Sequence, residues 1–141
     1  MVLLDGRTWL EFIPPAECWQ LLSGTPVGRI GTLVDSAPEI YPVNFVVDQE
    51  TIVFRTDSGN KLRALGRSPS ICFEADELDL ADHTGWSVLV KGQAVELADG
   101  EGLRGATRLP LHFWALGEKA HWIRVLPVEV TGRRIYRRKT R

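Results

Sequence analysis

Short apolar segments separated by turns of only a few residues fill the chain between residues 27 and 97, and they constrain the fold more than any other feature. "VGRIGTLV" ends at "DSAP", "EIYPVNFVV" ends at "DQE", and "TIVFRT" follows at once. Loops this short join antiparallel neighbours. The pattern therefore predicts a meander of strands over Val27–Val34, Glu39–Val47 and Thr51–Thr56.

Later segments add three more strands. "SPSICFEA" and "WSVLVKGQAVEL" predict a fourth and a fifth, and in the fifth Trp86 and Val88 alternate with Ser87 and Leu89, as in a strand with two distinct faces. The polar stretch "DELDLADHTG" is expected to form the loop between them. "HWIRVLPVEVTGRRIYR" predicts a last strand that is interrupted at Pro127.

Short helices are predicted beside these strands. "AECWQLLSG" places Cys18 and Leu22 on one face with Gly24 as its C-terminal stop, a second helix begins near Lys61, and a third lies around "GEGLRGATRL". We predict a single domain over residues 1–141 that is mainly β: a six-stranded antiparallel barrel with a few short helices. Closing the sheet into a barrel removes its exposed edges.

Composition narrows the class of function. The 17 basic and 18 acidic side chains give a net charge of -1, so overall charge does not steer the chain to a polyanion. Two isolated cysteines favour a reducing compartment, and "MVLLDGRTWLEF" is not a signal peptide. No uncharged run approaches the roughly 20 residues of a membrane helix. We expect a cytoplasmic protein with no membrane partner.

A basic tail and three histidines permit other classes of function. "GRRIYRRKTR" could bind nucleic acid, but beyond Tyr136 no stacking residue lies between its cations, so a solvated end or contact with an anionic cofactor is preferred and no nucleic acid is expected. His83, His112 and His121 match no usual zinc spacing, so no metal is predicted.

The stretch "RTDSGNK" gathers cations, hydroxyls and an amide where a predicted strand turns into a predicted helix. Gly59 allows a tight turn, and Ser58 or Asn60 can cap the helix, whose first N–H groups attract anions. Arg55 offers a planar fork for phosphate oxygens and Lys61 a compact charge. The stretch predicts a phosphate site. The alternative is a solvated turn whose cations pair with nearby carboxylates.

Two neighbouring segments favour a ligand. Pro42 in "YPVNF" cannot donate a ladder hydrogen bond and marks an edge or bulge, so the backbone beside it can meet a ligand. Asn44 adds a donor and acceptors. "GWSVLVKGQA" offers the indole of Trp86 and the hydroxyl of Ser87 at the start of another strand.

Taken in order, "GRIGTL", "YPVNFVVD", "IVFRTDSGNKLRAL", "ICFEAD" and "TGWSVLVKGQAVEL" resemble the pyridoxamine 5′-phosphate oxidase-like family of flavin-binding split β-barrels, especially the small single-domain members related to nitroimidazole reductases. The resemblance spans about Val27–Leu97 and implies a homodimer with FMN in two clefts between subunits, acting as an oxidoreductase on a small molecule. Similar barrels bind F420 or haem, so an F420-dependent reductase or a non-catalytic flavin- or haem-binding protein is the alternative.

The resemblance also implies which residues bind the cofactor. A segment along the isoalloxazine ring matches Pro42, Val43, Asn44 and Phe45. The positions that hold the phosphate and ribityl tail match Arg55, Thr56 and Lys61. Those that reach the flavin from the other subunit match Trp86 and Ser87. No catalytic residue is implied, and the Arg-x-His pair of true pyridoxamine phosphate oxidases has no counterpart after His121, so that activity is not predicted.

Overall fold

The computed structural model describes residues 3–5, 10–98, 100–112 and 120–136, so residues 137–141, with four of the six cations of the predicted basic tail, lie outside the described residues. Eight strands occur in this part of the chain: β1 (Leu3–Asp5), β2 (Leu10–Ile13), β3 (Val27–Val34), β4 (Ala37–Asp48), β5 (Thr51–Thr56), β6 (Ser70–Asp79), β7 (Thr84–Glu96) and β8 (His121–Ile135). The helices described are α1 (Pro15–Ser23), α2 (Asn60–Arg67) and α3 (Glu101–Ala106). None of these helices is long and apolar enough to cross a membrane.

Strands β3 to β8 close into an antiparallel ring in the order β3-β4-β5-β8-β7-β6, with β6 returning to β3. The β7–β8 ladder, which runs from the pair Gly85–Ile135 to the pair Glu96–Ile123, completes the ring. β2 pairs with the far end of β8, and β1 pairs with β2. The mainly β, six-stranded antiparallel barrel is confirmed, and β1 and β2 are additions that the sequence pattern did not predict.

The first two hairpins owe their tightness to residues with positive φ. Asp35 and Ser36, with φ of 50° and 67°, join β3 to β4. Gln49 and Glu50, with φ of 48° and 57°, join β4 to β5. Two central residues with positive φ match the twist of antiparallel strands, which fixes the register of both hairpins.

The barrel interior is the main core. Period-two alternation sends Ile52 and Phe54 of β5 inward, where both are fully buried. Helix α1 packs against β8 with Cys18 and Leu22 also fully buried. A smaller cluster covers the outer face of β5, where Val53 packs with Trp122 of β8 and Ala106 of α3.

Two details of the predicted strands were wrong. β8 runs without a break through Pro127, because residues 126–131 pair with β7 alone and a missing N–H costs no ladder bond there. The β7–β8 ladder has a register shift between Lys91 and Gly92, and Gly92 is the residue that pairs with Pro127. Residues 76–79, predicted as loop, extend β6, because the β6–β7 ladder continues as far as the pair Asp79–Thr84.

Candidate functional site

The barrel is open along half of β4. This strand pairs with β3 along residues 37–44, whereas its ladder with β5 is confined to Phe45–Asp48. Pro42 lies in the half that has β3 alone as its neighbour, which matches the edge position predicted for it. We call the opening beside residues 37–44 of β4 the split.

The start of α2 lies at the split. Lys61, in the first turn of this helix, places its ammonium 4.0 Å from the ring centroid of Tyr41, which belongs to the open half of β4. A cation above a ring face is attracted by the negative π surface. This contact holds the positively charged first turn of α2 against the edge of β4.

Arg55 lies on the outer face of β5. Its neighbour Phe54 points into the barrel, so Arg55 points away from it, and its guanidinium lies 4.7 Å from the ring centroid of Trp122, directly opposite on β8. Asn44 precedes Phe45, which pairs with Phe54, so Asn44 and Arg55 share the outer face. Trp122 is buried beneath α3 and therefore gives Arg55 a fixed platform.

A chain of three hydrogen-bonded side chains crosses the same region. The Ser58 Oγ lies 2.8 Å from Nε2 of His121, and Nδ1 of His121 lies 2.6 Å from Oε1 of Glu96. A carboxylate can only accept, so Nδ1 carries the proton, and in the neutral ring Nε2 accepts from the Ser58 hydroxyl. No sequence spacing links these residues. The β5–β8 ladder brings them together by pairing Thr56 with His121.

We define the anion seat as Arg55, Ser58, Lys61 and His121, together with the first N–H groups of α2. The N-cap of α2 is Gly59, with φ of 150° and no side-chain cap, so the predicted cap by Ser58 or Asn60 is wrong. Ser58 bonds His121 instead, and the side-chain oxygen of Asn60 accepts from Arg63. The first N–H groups of a helix have no intrahelical partner, and the N-cap residue Gly59 has no side chain to cap them.

The other predicted residues near the seat differ in exposure. Thr56 is buried, and its hydroxyl donates to the Asp57 carbonyl at 3.4 Å. Phe45 is also buried, edge-on to Phe73 at a centroid distance of 4.7 Å, and Val43 packs against the core. The segment 42–45 therefore meets the outer surface through Pro42 and Asn44. Contact of Thr56, Val43 and Phe45 with a cofactor stays a prediction.

A single chain does not bring Trp86 and Ser87 to the anion seat. They lie opposite Arg134 and Arg133, near the end of β8, whereas Arg55 lies opposite Trp122 near its start. Trp86 packs at the edge of the main core. Their approach to a cofactor from a second subunit stays a prediction.

Two buried hydroxyl groups lie on the paired strands β3 and β4 beside the split. Tyr41 Oη and Thr32 Oγ1 form no hydrogen bond with any residue that the structure describes. Burial, and then the negative charge of Glu39, raises the pKa of Tyr41 to about 12. The phenol therefore stays neutral at physiological pH, and the cation above it meets an uncharged ring.

A ring of six antiparallel strands that is open along half of β4 defines a split β-barrel protein. A family model described as pyridoxamine 5′-phosphate oxidase matches residues 14–134, and the chain belongs to this family. The predicted family is thereby confirmed.

Known proteins similar to this chain cover most of its length. A structure of an FAD binding protein from Mycobacterium smegmatis is 40% identical, with a TM-score of 0.74 over 88% of this chain and 97% of that one. A candidate pyridoxamine 5′-phosphate oxidase from Corynebacterium glutamicum is 30% identical, with a TM-score of 0.81 over 93% and 96%. An uncharacterized protein from Mycobacterium tuberculosis is 35% identical over 124 residues, which are 84% of this chain and 81% of that one.

Proposed function

We propose that this protein binds a flavin nucleotide at the split and uses it as an oxidoreductase on a small molecule. The observation that carries the proposal is the pair of cations held on aromatic faces beside the open edge, Arg55 on Trp122 and Lys61 on Tyr41. The similarity to a mycobacterial protein named as FAD binding supports the same ligand class.

The donor set of the anion seat fits a phosphate. Arg55 offers a planar fork to two oxygens, and Lys61 offers a point charge with three donors. The first N–H groups of α2 point along the helix axis, and the dipole favours negative charge there. Ser58 is exposed beside them, with its hydroxyl oriented by His121. These groups would hold the phosphate end of a flavin.

The ring of the flavin would lie along residues 42–45. When bound, a flavin supplies electron or hydride transfer at its ring, and the protein supplies orientation and electrostatics. Pro42 keeps this half of β4 accessible, and Asn44 presents an amide on the same outer face as Arg55. The backbone dipoles of an open edge would stabilise negative charge on the reduced ring, as preorganised donors do in an oxyanion hole.

The same proposal includes a homodimer. Trp86 and Ser87 can contact a flavin at the anion seat only from a second copy, because in one chain they lie at the other end of β8. An apolar groove of about 560 Å³ is lined by residues of β3, β4, β6, β7 and β8, among them Ile40 and Val128, which are 77% and 76% exposed. Exposed apolar surface of this kind is typical of an interface.

FMN is the cofactor that the family resemblance implies, and FAD is the one that the mycobacterial relative is named for. Both attach a phosphate to the ribityl chain, so the anion seat suits either. Haem carries no phosphate and therefore matches the hydrogen-bond donors of the anion seat less well than a flavin nucleotide does. F420 shares the phosphate-bearing tail and remains the alternative to a common flavin.

The test is the absorbance spectrum of freshly purified protein, repeated after FMN, FAD or F420 is added and free ligand is removed. Retained flavin bands, with the flavin identified by mass, are the expected result. A Soret band, or a colourless protein that retains none of the three, contradicts the proposal. The bound flavin is then reduced without oxygen and mixed with candidate acceptors: an oxidoreductase turns over an acceptor, whereas a carrier stays reduced.

A further inference from the structure

We propose that Ser58, His121 and Glu96 form a catalytic triad that hydrolyses small carboxylic esters. This activity does not rest on flavin binding, since all three groups belong to the chain itself. The proposal is based on two hydrogen bonds, which we call the relay. The first joins Ser58 Oγ to His121 Nε2 at 2.8 Å, and the second joins His121 Nδ1 to Glu96 Oε1 at 2.6 Å. A nucleophile, a base and a carboxylate that orients the base are joined in that order.

The direction of the two hydrogen bonds in the relay suits nucleophilic attack by Ser58. Glu96 accepts from Nδ1, which fixes the tautomer in which Nε2 has its lone pair toward the Ser58 hydroxyl. Ser58 is exposed, and the His121 and Glu96 side chains are 29% and 42% exposed. Hydrogen bonds and ion pairs this open to water add little to stability, so folding alone gives no reason for the arrangement.

The backbone around Ser58 also fits a nucleophile. This residue sits where β5 turns into α2, and a strand-to-helix turn is the local geometry that exposes the nucleophile in α/β-hydrolases. The next residue, Gly59, has φ of 150°, and a Cβ built there would meet no atom of the described residues within 4 Å, so these residues leave room for a substrate carbonyl beside Ser58. The uncapped N–H groups at the start of α2 and the nearby charge of Lys61 would stabilise a developing oxyanion.

The reaction balances without an oxidant or reductant. The Ser58 oxygen attacks the ester carbonyl carbon while Nε2 of His121 takes the hydroxyl proton, and Glu96 stabilises the imidazolium. The bond to the alcohol oxygen breaks, and the alcohol leaves with that proton. Water then attacks the acyl group on Ser58, gives its proton to His121, and the acid departs as Ser58 regains a proton. The substrates are small and unhindered esters, because Ser58 lies on open surface.

The experiment is labelling of the purified full chain with a fluorophosphonate, with the modified residue located by peptide mass spectrometry and 4-nitrophenyl acetate hydrolysis followed in parallel. We expect one adduct, on Ser58, and none in Ser58→Ala. His121→Gln should slow labelling on the order of 100-fold or more, since it removes the general base. Glu96→Gln should slow labelling less, because the imidazole remains but is no longer oriented by a charge.

His83→Gln is the matched control, since His83 lies exposed in the β6–β7 turn, at the other end of β7 from Glu96, and this variant should label at the wild-type rate. Thermal unfolding confirms that each variant is folded. An unlabelled Ser58, or a folded His121→Gln that labels at the wild-type rate, overturns the triad. Because a phosphate in the anion seat would cover Ser58, labelling is measured on flavin-free protein and flavin rebinding on the same sample, so a protein that rebinds flavin but does not label when flavin-free contradicts the triad alone.

Discussion

Lys61 of α2 holds its ammonium 4.0 Å from the ring centroid of Tyr41 on β4, and this contact links the start of a helix to the open half of β4. The two residues are far apart in sequence and belong to elements that do not pair. Together they place a positive charge at the split. Arg55 on Trp122 adds a second cation on the outer face of β5.

The two cations should anchor the flavin phosphate. Lys61→Met and Arg55→Ala should each weaken flavin binding about 10- to 100-fold, as expected for a lost charge-assisted hydrogen bond. Fluorescence titration gives the Kd. Arg67→Ala is the control on the same helix, because Arg67 pairs with Asp35 at 3.6 Å and both side chains are well exposed. If both test variants bind like the wild type, the anion seat is misplaced, and if Arg67→Ala weakens binding equally, the effect is general charge.

Tyr41 should make stability depend on alkaline pH. Its pKa rises from an ordinary 10.0 to about 12 in the folded chain, because burial and Glu39 disfavour the phenolate. The folded state therefore keeps a proton that the unfolded state loses, so the contribution of Tyr41 to stability is constant below pH 10 and is lost as pH rises through about 12.

Tyr41→Phe removes this dependence, so the free energy of unfolding of the variant, measured in urea, should rise relative to that of wild type as pH increases from 8 toward 12. Near neutral pH the variant should be at least as stable as wild type, since it also removes a hydroxyl that has no hydrogen bond with the described residues. A pH-independent difference between the two proteins contradicts the raised pKa.

The sequence predicted the barrel because its signal is local. Alternation along β5 and β7 and the short turns at residues 35–36 and 49–50 follow from neighbouring residues. The elements that were predicted wrongly depend on which strand pairs with them. Pro127 breaks no strand because β7 alone pairs with that part of β8. The polar residues 76–79 form strand because residues of β7 continue the ladder.

In the candidate site, too, some residues could be predicted from their neighbours in sequence, whereas others depend on strand pairing. Arg55 and Lys61 stand near Gly59 at a strand-to-helix turn, so local pattern was enough to propose an anion site. His121 and Glu96 were missed as site residues because they reach Ser58 only when β8 pairs with both β5 and β7. No spacing in a single sequence carries that information.

Two glycines should respond to alanine in opposite directions. A Cβ at Gly92 would lie 2.3 Å from the carbonyl oxygen of Leu126, a backbone atom that cannot move without disturbing the β7–β8 ladder. Gly92→Ala should therefore destabilise by about 1–3 kcal/mol. Gly66 lies in α2, and a Cβ built there would meet no atom within 4 Å in the part of the chain that the structure describes, so Gly66→Ala should stabilise by about 0.5–1 kcal/mol. Urea unfolding measures both, and equal effects contradict the packing at the ladder.

A second copy of the chain should cover the groove around Ile40. Ile40 lies opposite Gly31 on the outer face and is 77% exposed in one chain. Ile40→Lys places a charge in the proposed interface, whereas Leu80→Lys makes the same change at a residue that is 81% exposed in the β6–β7 turn, away from the groove. Sedimentation equilibrium should give a dimer for wild type and Leu80→Lys and a monomer for Ile40→Lys.

Flavin affinity should fall when the dimer dissociates, because Trp86 and Ser87 would no longer reach the anion seat. A monomeric wild type that binds flavin tightly contradicts the shared site, and a dimeric Ile40→Lys shows that the interface lies on another face.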